Sequence, residues 1–358
     1  MPVLKTPVLS PKKLLQSLAC PKRACVALSE GSDPRIIQGA LEALDLGLAD
    51  IILCGNEQSI KAALASHGKT EGVRLHIHDP ETSPLAETFA AAYCKLRGVN
   101  TKLAQQAIKD PLVYAALLVH LDHADATLGG AVATTPAVVR TALQIIGKAQ
   151  EAPLVSSVFL MLPPPDSTTT GGHTKRAMLY ADAGLVIDPD TQDLVFIAEQ
   201  CIRSCELLLR EEAKIALLSF STKGSARHAC VRKVSKAAEI LRETFGAEKI
   251  EGELQFDAAF IPEIGQAKAP GSAVAGCANV MIFPNLDAGN IAYKITERLG
   301  GYQAIGPILQ GLAKPANDLS RGCTAEDVTQ MIAVCALQTT MTPQAPMTSR
   351  TDSRIEQP

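Results

Sequence analysis

Two textures alternate along the first part of the chain. Short, wholly apolar runs at Cys25–Ser29 and Asp50–Gly55 are each followed by a turn and then by apolar residues at helical spacing. Runs with no polar face suit strands covered on both sides, which is the situation in a parallel sheet. The turn Glu30-Gly31-Ser32-Asp33-Pro34 leads into a helix over Arg35–Leu46, and the second strand into a helix over Glu57–Ser66. Val73–His78 is read as a third strand and Pro11–Leu18 as a short opening helix. Helical patterns follow over Pro84–Leu96, Thr101–Ile108 and Leu112–Leu121, and the small-residue segment Thr127–Thr135 opens a helix over Pro136–Ile146. The succession of apolar strand, turn and amphipathic helix predicts an α/β fold with a parallel sheet between layers of helices.

The pattern changes near Ala152. Leu154–Leu162 and Arg176–Leu185 read as strands on either side of the Pro- and Thr-rich stretch Pro163–Gly172, a hairpin with a long mobile tip. Asp190–Glu211 is a long helix, Ile215–Phe220 a central strand, and Arg227–Phe245 the helical region after the polar loop Ser221–Ser225. Val280–Phe283 is a buried strand and Asp287–Leu299 a helix, after which the chain is expected to return to the first domain near Gly306. The expected division is therefore 1–151 plus 306–340 as a discontinuous first α/β domain, 152–305 as a second, and 341–358 as a polar, disordered tail.

Composition narrows the function more than the fold. Of 358 residues, 47% are hydrophobic and 20% charged, as in globular enzymes. A net charge of -3 leaves no basic face for nucleic acid, so any anion site has to be local. The 10 cysteines are scattered without a CxxC pair, which argues against a zinc site or a disulfide framework and for a cytoplasmic protein. No signal-peptide core or membrane-length apolar run is found. The pairs His76/His78 and His120/His123 have metal-ligand spacing but no third ligand nearby, and no metal is expected.

The chemistry is placed in Lys314–Asp327, where Ser320 and Arg321 adjoin and Asp327 follows at the start of a helix over Val328–Leu337. A loop ending at a helix start can aim a hydroxyl, a guanidinium and a carboxylate at one point, with free N–H donors beside them. The structural alternative stands beside it: Thr324 to Asp327 fits a capping box, and Ser320 and Arg321 are ordinary for a solvated loop. Thr134, Thr135 and Arg140 sit at another helix start, where an anion would find hydroxyls and backbone N–H groups. Thr135 as a plain N-cap before Pro136 is as natural. Lys223 lies in a strand-to-helix loop that is not a Walker A but has the polarity to cradle a phosphate, or to serve as an ordinary helix entry.

The run KPANDLSRG followed by CTAEDV resembles the C-terminal signature of the phosphate acetyltransferase family. Glu251–Ala259, Lys268–Ser272, Asn279–Lys294 and Gly300–Gly311 are similar to that family in the same order, and similarity extends from about Val26 to Leu337. The resemblance implies two α/β/α domains with a cleft between them, similar to the isocitrate and isopropylmalate dehydrogenases. It implies reversible transfer of an acetyl group between acetyl phosphate and coenzyme A, in acetate metabolism, by a homodimer that uses coenzyme A as substrate and no cofactor. Asp327 is then the general base, Arg321 the phosphate and oxyanion clamp, and Ser320 a donor to the developing charge. Arg140 matches a family arginine, and Thr134, Thr135, Lys223, Lys294 and Tyr302 complete the expected substrate contacts. The family's longer basic run is shortened here to Lys95-Leu96-Arg97-Gly98, so no role passes to Arg97. The base assignment carries a condition. An unperturbed Asp taking a proton from an ordinary thiol is uphill by roughly 6 kcal/mol, so it requires burial of the carboxyl or concerted transfer. Alternatives are a longer acyl chain, propionyl or butyryl, and a metal-dependent 2-hydroxyacid dehydrogenase on a similar fold. The latter would need clustered aspartates and a nucleotide loop, which the sequence lacks.

Overall fold

In the computed structural model the described residues are 13, 23–150, 152–164 and 175–341. The helix expected over Pro11–Leu18, most of the hairpin tip and the tail after Met341 lie outside them. Along the chain the elements are β1 (Cys25–Leu28), α1 (Pro34–Asp45), β2 (Asp50–Cys54), α2 (Glu57–Ser66), β3 (Leu75–His78), α3 (Ala86–Arg97), α4 (Thr101–Ala107), α5 (Pro111–His120), β4 (Ala126–Gly129) and α6 (Thr135–Ile145). Then come β5 (Ser156–Leu162), β6 (Met178–Ala181), α7 (Thr191–Leu208), β7 (Ile215–Leu218), α8 (Ala229–Phe245), β8 (Ile250–Leu254), α9 (Phe256–Phe260), α10 (Pro262–Lys268) and β9 (Val280–Ile282). Last are α11 (Leu286–Arg298), β10 (Gln303–Gln310), β11 (Ala316–Asp318) and α12 (Ala325–Gln338).

The described residues divide into two compact units, one within 150–305 and the other within 23–149 with 306–341. In the discontinuous unit a sheet of order β11-β4-β1-β2-β3 has every pair parallel. Its apolar runs behave as their composition dictates: Val26, Ala27, Leu28, Ile51 and Leu53 are wholly buried. Helix α1 starts where Asp33 accepts from the Arg35 N–H and Pro34 presets the first turn. It buries Ile36, Ile37 and Ala40. Against it lies α12, whose residues from Val328 to Leu337 are all buried. The two helices meet at Gly39, where an added Cβ would stand 2.6 Å from the Val328 Cβ, and the Gly39 carbonyl accepts from the Thr329 hydroxyl at 3.2 Å.

The continuous unit holds a mixed sheet of order β10-β5-β6-β9-β7-β8, in which β5 and β6 pair antiparallel and β6, β9, β7 and β8 run parallel. Its core gathers Phe159, Met161, Tyr180, Leu254, Met281 and Phe283. The end of β6 is tied by buried Asp182, which accepts from the Ser157 N–H and hydroxyl and from the N–H groups of Gly184 and Leu185 at 2.6–2.8 Å. Burial raises its carboxyl pKa while these donors lower it, with burial the larger effect.

Four strands escape a pattern-based reading. Segment β8 carries Glu251 and Glu253 inside a fully buried stretch, β11 is Ala-Asn-Asp, β4 lies in the small-residue segment, and β10 is broken up by Gly306 and Pro307. Conversely Val73, read as strand, is 94% exposed, and β3 begins at Leu75.

The Gly39 contact is tight enough to test. Gly39→Ala is expected to lose about 1–3 kcal/mol, the usual cost of overpacking, despite alanine's better helix propensity. Urea unfolding measures it, and a gain in stability would mean that α1 and α12 can part without cost.

Candidate active site

The loops leaving β1, β4 and β11 converge because parallel strands end on the same edge of the sheet. Just past β1, the Glu30 carboxylate accepts four backbone N–H groups: Gly130 at 3.0 Å, Ala131 at 2.7 Å, Val132 at 3.0 Å and Ala133 at 2.7 Å. These donors belong to the loop just ahead of Thr134, the N-cap of α6. The loop is an anion cradle whose occupant belongs to the chain itself.

The threonines behave differently from the expectation. The N-cap is Thr134, not Thr135, and its side chain makes no capping bond. The Thr135 hydroxyl instead donates to Asp318 Oδ2 at 2.5 Å. One turn further on, Arg140 is exposed and has no carboxylate partner among the described residues.

Asp318 ends β11 completely buried, and its Oδ1 has no hydrogen-bond partner. Burial pushes its pKa up to about 7; the Thr135 hydrogen bond works against this and the nearby Glu30 charge adds to it. The chain then turns at Leu319, whose N–H donates to the Gly129 carbonyl at 2.7 Å, and Ser320 and Arg321 emerge into solvent. The Ser320 hydroxyl accepts from the Gly322 N–H at 3.2 Å and keeps its own proton to donate. The Arg321 guanidinium, like that of Arg140, has no carboxylate partner among the described residues.

Asp327 closes a capping box at α12. The Thr324 hydroxyl accepts from the Asp327 N–H at 3.2 Å, and Asp327 Oδ2 accepts from the Thr324 N–H at 2.8 Å and from its hydroxyl at 2.9 Å. The capping alternative is therefore present, but it engages one carboxylate oxygen. The other has no hydrogen-bond partner among the described residues.

Three expected contacts lie in the continuous unit. Lys223, at φ 50° in the loop after β7, points its ammonium at Glu251 Oε1, 3.2 Å away, and Glu251 also pairs with Arg242. The rest of that loop is held by Glu253, which accepts from the hydroxyls of Ser221 and Ser235 and from the Gly224 N–H at 3.1 Å. Lys294 is exposed on α11, donates to Asn290 Oδ1 at 2.8 Å and stands 5.6 Å from the centroid of the Tyr293 ring. Tyr302 is buried, with its pKa raised by burial and the Lys175 ammonium 6.0 Å from its ring centroid. The histidine pairs resolve as local contacts: His78 Nδ1 lies 3.1 Å from the Tyr114 hydroxyl, and His123 packs 5.8 Å from Phe89.

Sequence reasoning passed over Glu30, Arg35 and Asp318. The first two sit in what reads as a plain turn into a helix, and Asp318 sits inside the signature run, overshadowed by its neighbours Ser320 and Arg321.

A sequence model of the family described as phosphate acetyl/butaryl transferase matches residues 12–336. The chain belongs to that family. The chain is 44% identical to a phosphate acetyltransferase of Paracoccus denitrificans over 317 residues, covering 88% of this chain and 94% of the relative. A solved phosphotransacetylase from Streptococcus pyogenes superposes with a TM-score of 0.82 at 35% identity, covering 92% of this chain and 97% of that one. A solved 4-hydroxythreonine-4-phosphate dehydrogenase from Burkholderia phymatum shares the fold alone, with a TM-score of 0.51 at 12% identity over 89% of this chain and 98% of that one. The dehydrogenase likeness of the phosphate acetyltransferase fold is thus seen directly.

The position of Asp318 predicts a pH effect. Its folded pKa of about 7 lies above the unfolded value, so below pH ~3.9 both states hold the proton and Asp318 has no effect. Between the two pKa values the unfolded chain releases the proton that the fold retains, and stability falls as pH rises. Above the folded pKa the loss levels off near 4 kcal/mol. Asp318→Asn is expected to be more stable than the parent, by about 2–3 kcal/mol more at pH 8 than at pH 5. Urea unfolding at the two pH values measures this, and a pH-independent difference would show that the carboxyl is already ionised when buried.

Proposed function

We propose that this chain transfers an acetyl group reversibly between acetyl phosphate and coenzyme A, through a ternary complex and without a covalent enzyme intermediate. The observation that carries the reading is the family match over nearly the whole chain, joined to the intact Ser320, Arg321 and Asp327. In the forward step the coenzyme A sulfur attacks the acetyl carbonyl carbon, the C–S bond forms, the C–O bond to phosphate breaks, and phosphate departs. Asp327 takes the thiol proton on the oxygen that the capping box leaves open. Arg321 and Arg140, both exposed and without carboxylate partners among the described residues, hold the phosphoryl oxygens, for which a guanidinium fork is well shaped. Ser320 donates its hydroxyl proton as a hydrogen bond to the developing oxyanion. Thr134, exposed ahead of α6, supplies a further hydroxyl to the substrate, and Lys223 and Lys294 supply cations for the phosphates of coenzyme A. Acetyl phosphate is already activated, so the step needs neither metal nor further cofactor. We further propose a cytoplasmic homodimer, which a mass measurement in solution tests.

Asp327 offers a clean separation of its two roles. Asparagine keeps an oxygen to accept from Thr324 and loses basicity, whereas alanine loses both. Asp327→Asn is expected to lower kcat by about 100-fold or more with KM little changed and the melting temperature nearly intact. Asp327→Ala is expected to lose, in addition, about 1 kcal/mol of stability. Normal turnover by the asparagine variant would leave Asp327 a cap and nothing more. Arg321→Ala is expected to raise KM for acetyl phosphate as well as lower kcat, because a clamp binds ground and transition states alike.

A second test concerns metals. Activity is expected to survive thorough treatment with EDTA, read as acetyl-CoA formed from acetyl phosphate. Complete loss, restored by one divalent ion, would overturn the metal-free step.

A further inference from the structure

We infer that Arg35 is a positioning residue for this reaction: its guanidinium fixes the loop that carries Ser320 and Arg321 against the loop that opens α6. All five of its N–H donors are committed. Nε and Nη2 donate to the two oxygens of Asp33 at 3.0 and 2.9 Å, and the second Nη2 proton goes to the Ala131 carbonyl at 2.7 Å. Nη1 donates to the Arg321 carbonyl at 2.7 Å and to the Cys323 carbonyl at 3.4 Å. A guanidinium offers five donors in a rigid plane, and a lysine offers three from one atom. No other common side chain can reach an aspartate and three carbonyls from two separate loops at once.

The location supports a purpose beyond folding. Arg35 lies in the first turn of α1, the end where the helix dipole disfavours a cation. Asp33, the N-cap, offsets that cost by acting as a counter-ion as well as a cap. The bonds reach the backbone on both sides of Gly322, flanking the turn from which the Arg321 side chain projects. Ala131, on the other loop, is one of the four residues whose N–H groups are held by Glu30. One guanidinium therefore sets the spacing between the proposed phosphate clamp and the α6 loop. Catalytic groups displaced by about an ångström can lose on the order of 100-fold in rate.

This inference rests on Arg321 acting at the phosphate, and the experiment separates the two. Arg35→Ala, Arg321→Ala and the double variant are assayed with acetyl phosphate and coenzyme A, alongside thermal melts and with or without guanidinium ion well below denaturing concentration. Arg35→Ala is expected to lose about 10- to 100-fold in kcat while remaining folded at the assay temperature. Added guanidinium is expected to restore part of that rate, without stimulating the parent. The double variant should lose less than the product of the two single losses, because Arg35 works in part through Arg321. Near-normal turnover by Arg321→Ala would defeat the reading of the site itself. If Arg321→Ala is impaired, the inference about Arg35 is overturned by normal kcat in Arg35→Ala, by losses that multiply in full in the double variant, or by a rate loss equal to the unfolded fraction. Should the alanine variant fail to fold, Arg35→Lys carries the test. It keeps the charge but not the fork, and a wild-type kcat in it would equally overturn the inference.

Discussion

The pairing of β11 with β4 is the constraint from which the rest of the site follows. A strand of three residues, Ala316 to Asp318, lies parallel beside Thr127 to Gly129, contributed from far earlier in the chain. Its last hydrogen bond, from the Leu319 N–H to the Gly129 carbonyl, brings two loops so close that the residue after Gly129 has no room for a side chain. A Cβ on Gly130 would stand 2.2 Å from Asp318 Oδ1 and 2.6 Å from the Leu319 carbonyl oxygen, and the φ of 107° excludes an L side chain independently. That closeness seals Asp318 from water and raises its pKa. It also places the Ser320–Arg321 turn beside the start of α6, where the Arg35 guanidinium ties the two loops together.

How much of this was legible in the sequence depends on whether polarity followed position. Where burial and apolarity agree, as in β1, β2, β7 and α1, strands and helices fall within a residue or two of their expected places. Where a buried segment carries polar groups, the pattern hides it. In β8, Glu251 is matched by Arg242 and Lys223 and Glu253 by two serines, so charges survive inside and the stretch looks like surface. In β11, Asn317 accepts from the Leu309 N–H and donates to Gln338 Oε1 at 2.6 Å. Those compensations depend on partners remote in sequence, which periodicity cannot show. The same blindness covers Glu30 and Arg35. Each reads as a turn or surface charge until the fold delivers its partners from about 100 and nearly 290 positions away. Ser320, Arg321 and Asp327 were legible because they lie close together on one loop and helix start, and because the run around them resembles a family signature.

The three helix starts nearest the expected substrate contacts bear on how an anionic substrate is held. The donors before α6 are taken by Glu30, those of the loop before α8 by Glu253 and the Ser225 hydroxyl, and at α12 the Thr324 and Asp327 N–H groups by the capping box. A phosphate approaching any of them would have to displace a carboxylate or a hydroxyl already seated, and a displaced carboxylate would then repel it. These loop donors are therefore spent on holding the loops in shape. The proposed reaction then relies on side-chain charge to meet acetyl phosphate: the guanidinium groups of Arg140 and Arg321, exposed and without carboxylate partners among the described residues. On the proposed mechanism this division has a chemical advantage. Phosphate is bound in one direction of the reaction and released in the other, and side chains that can swing with a departing group suit that better than rigid N–H cradles. The rigid part of the site is then the backbone beneath those side chains, and the contacts that fix it come from residues that never meet the substrate.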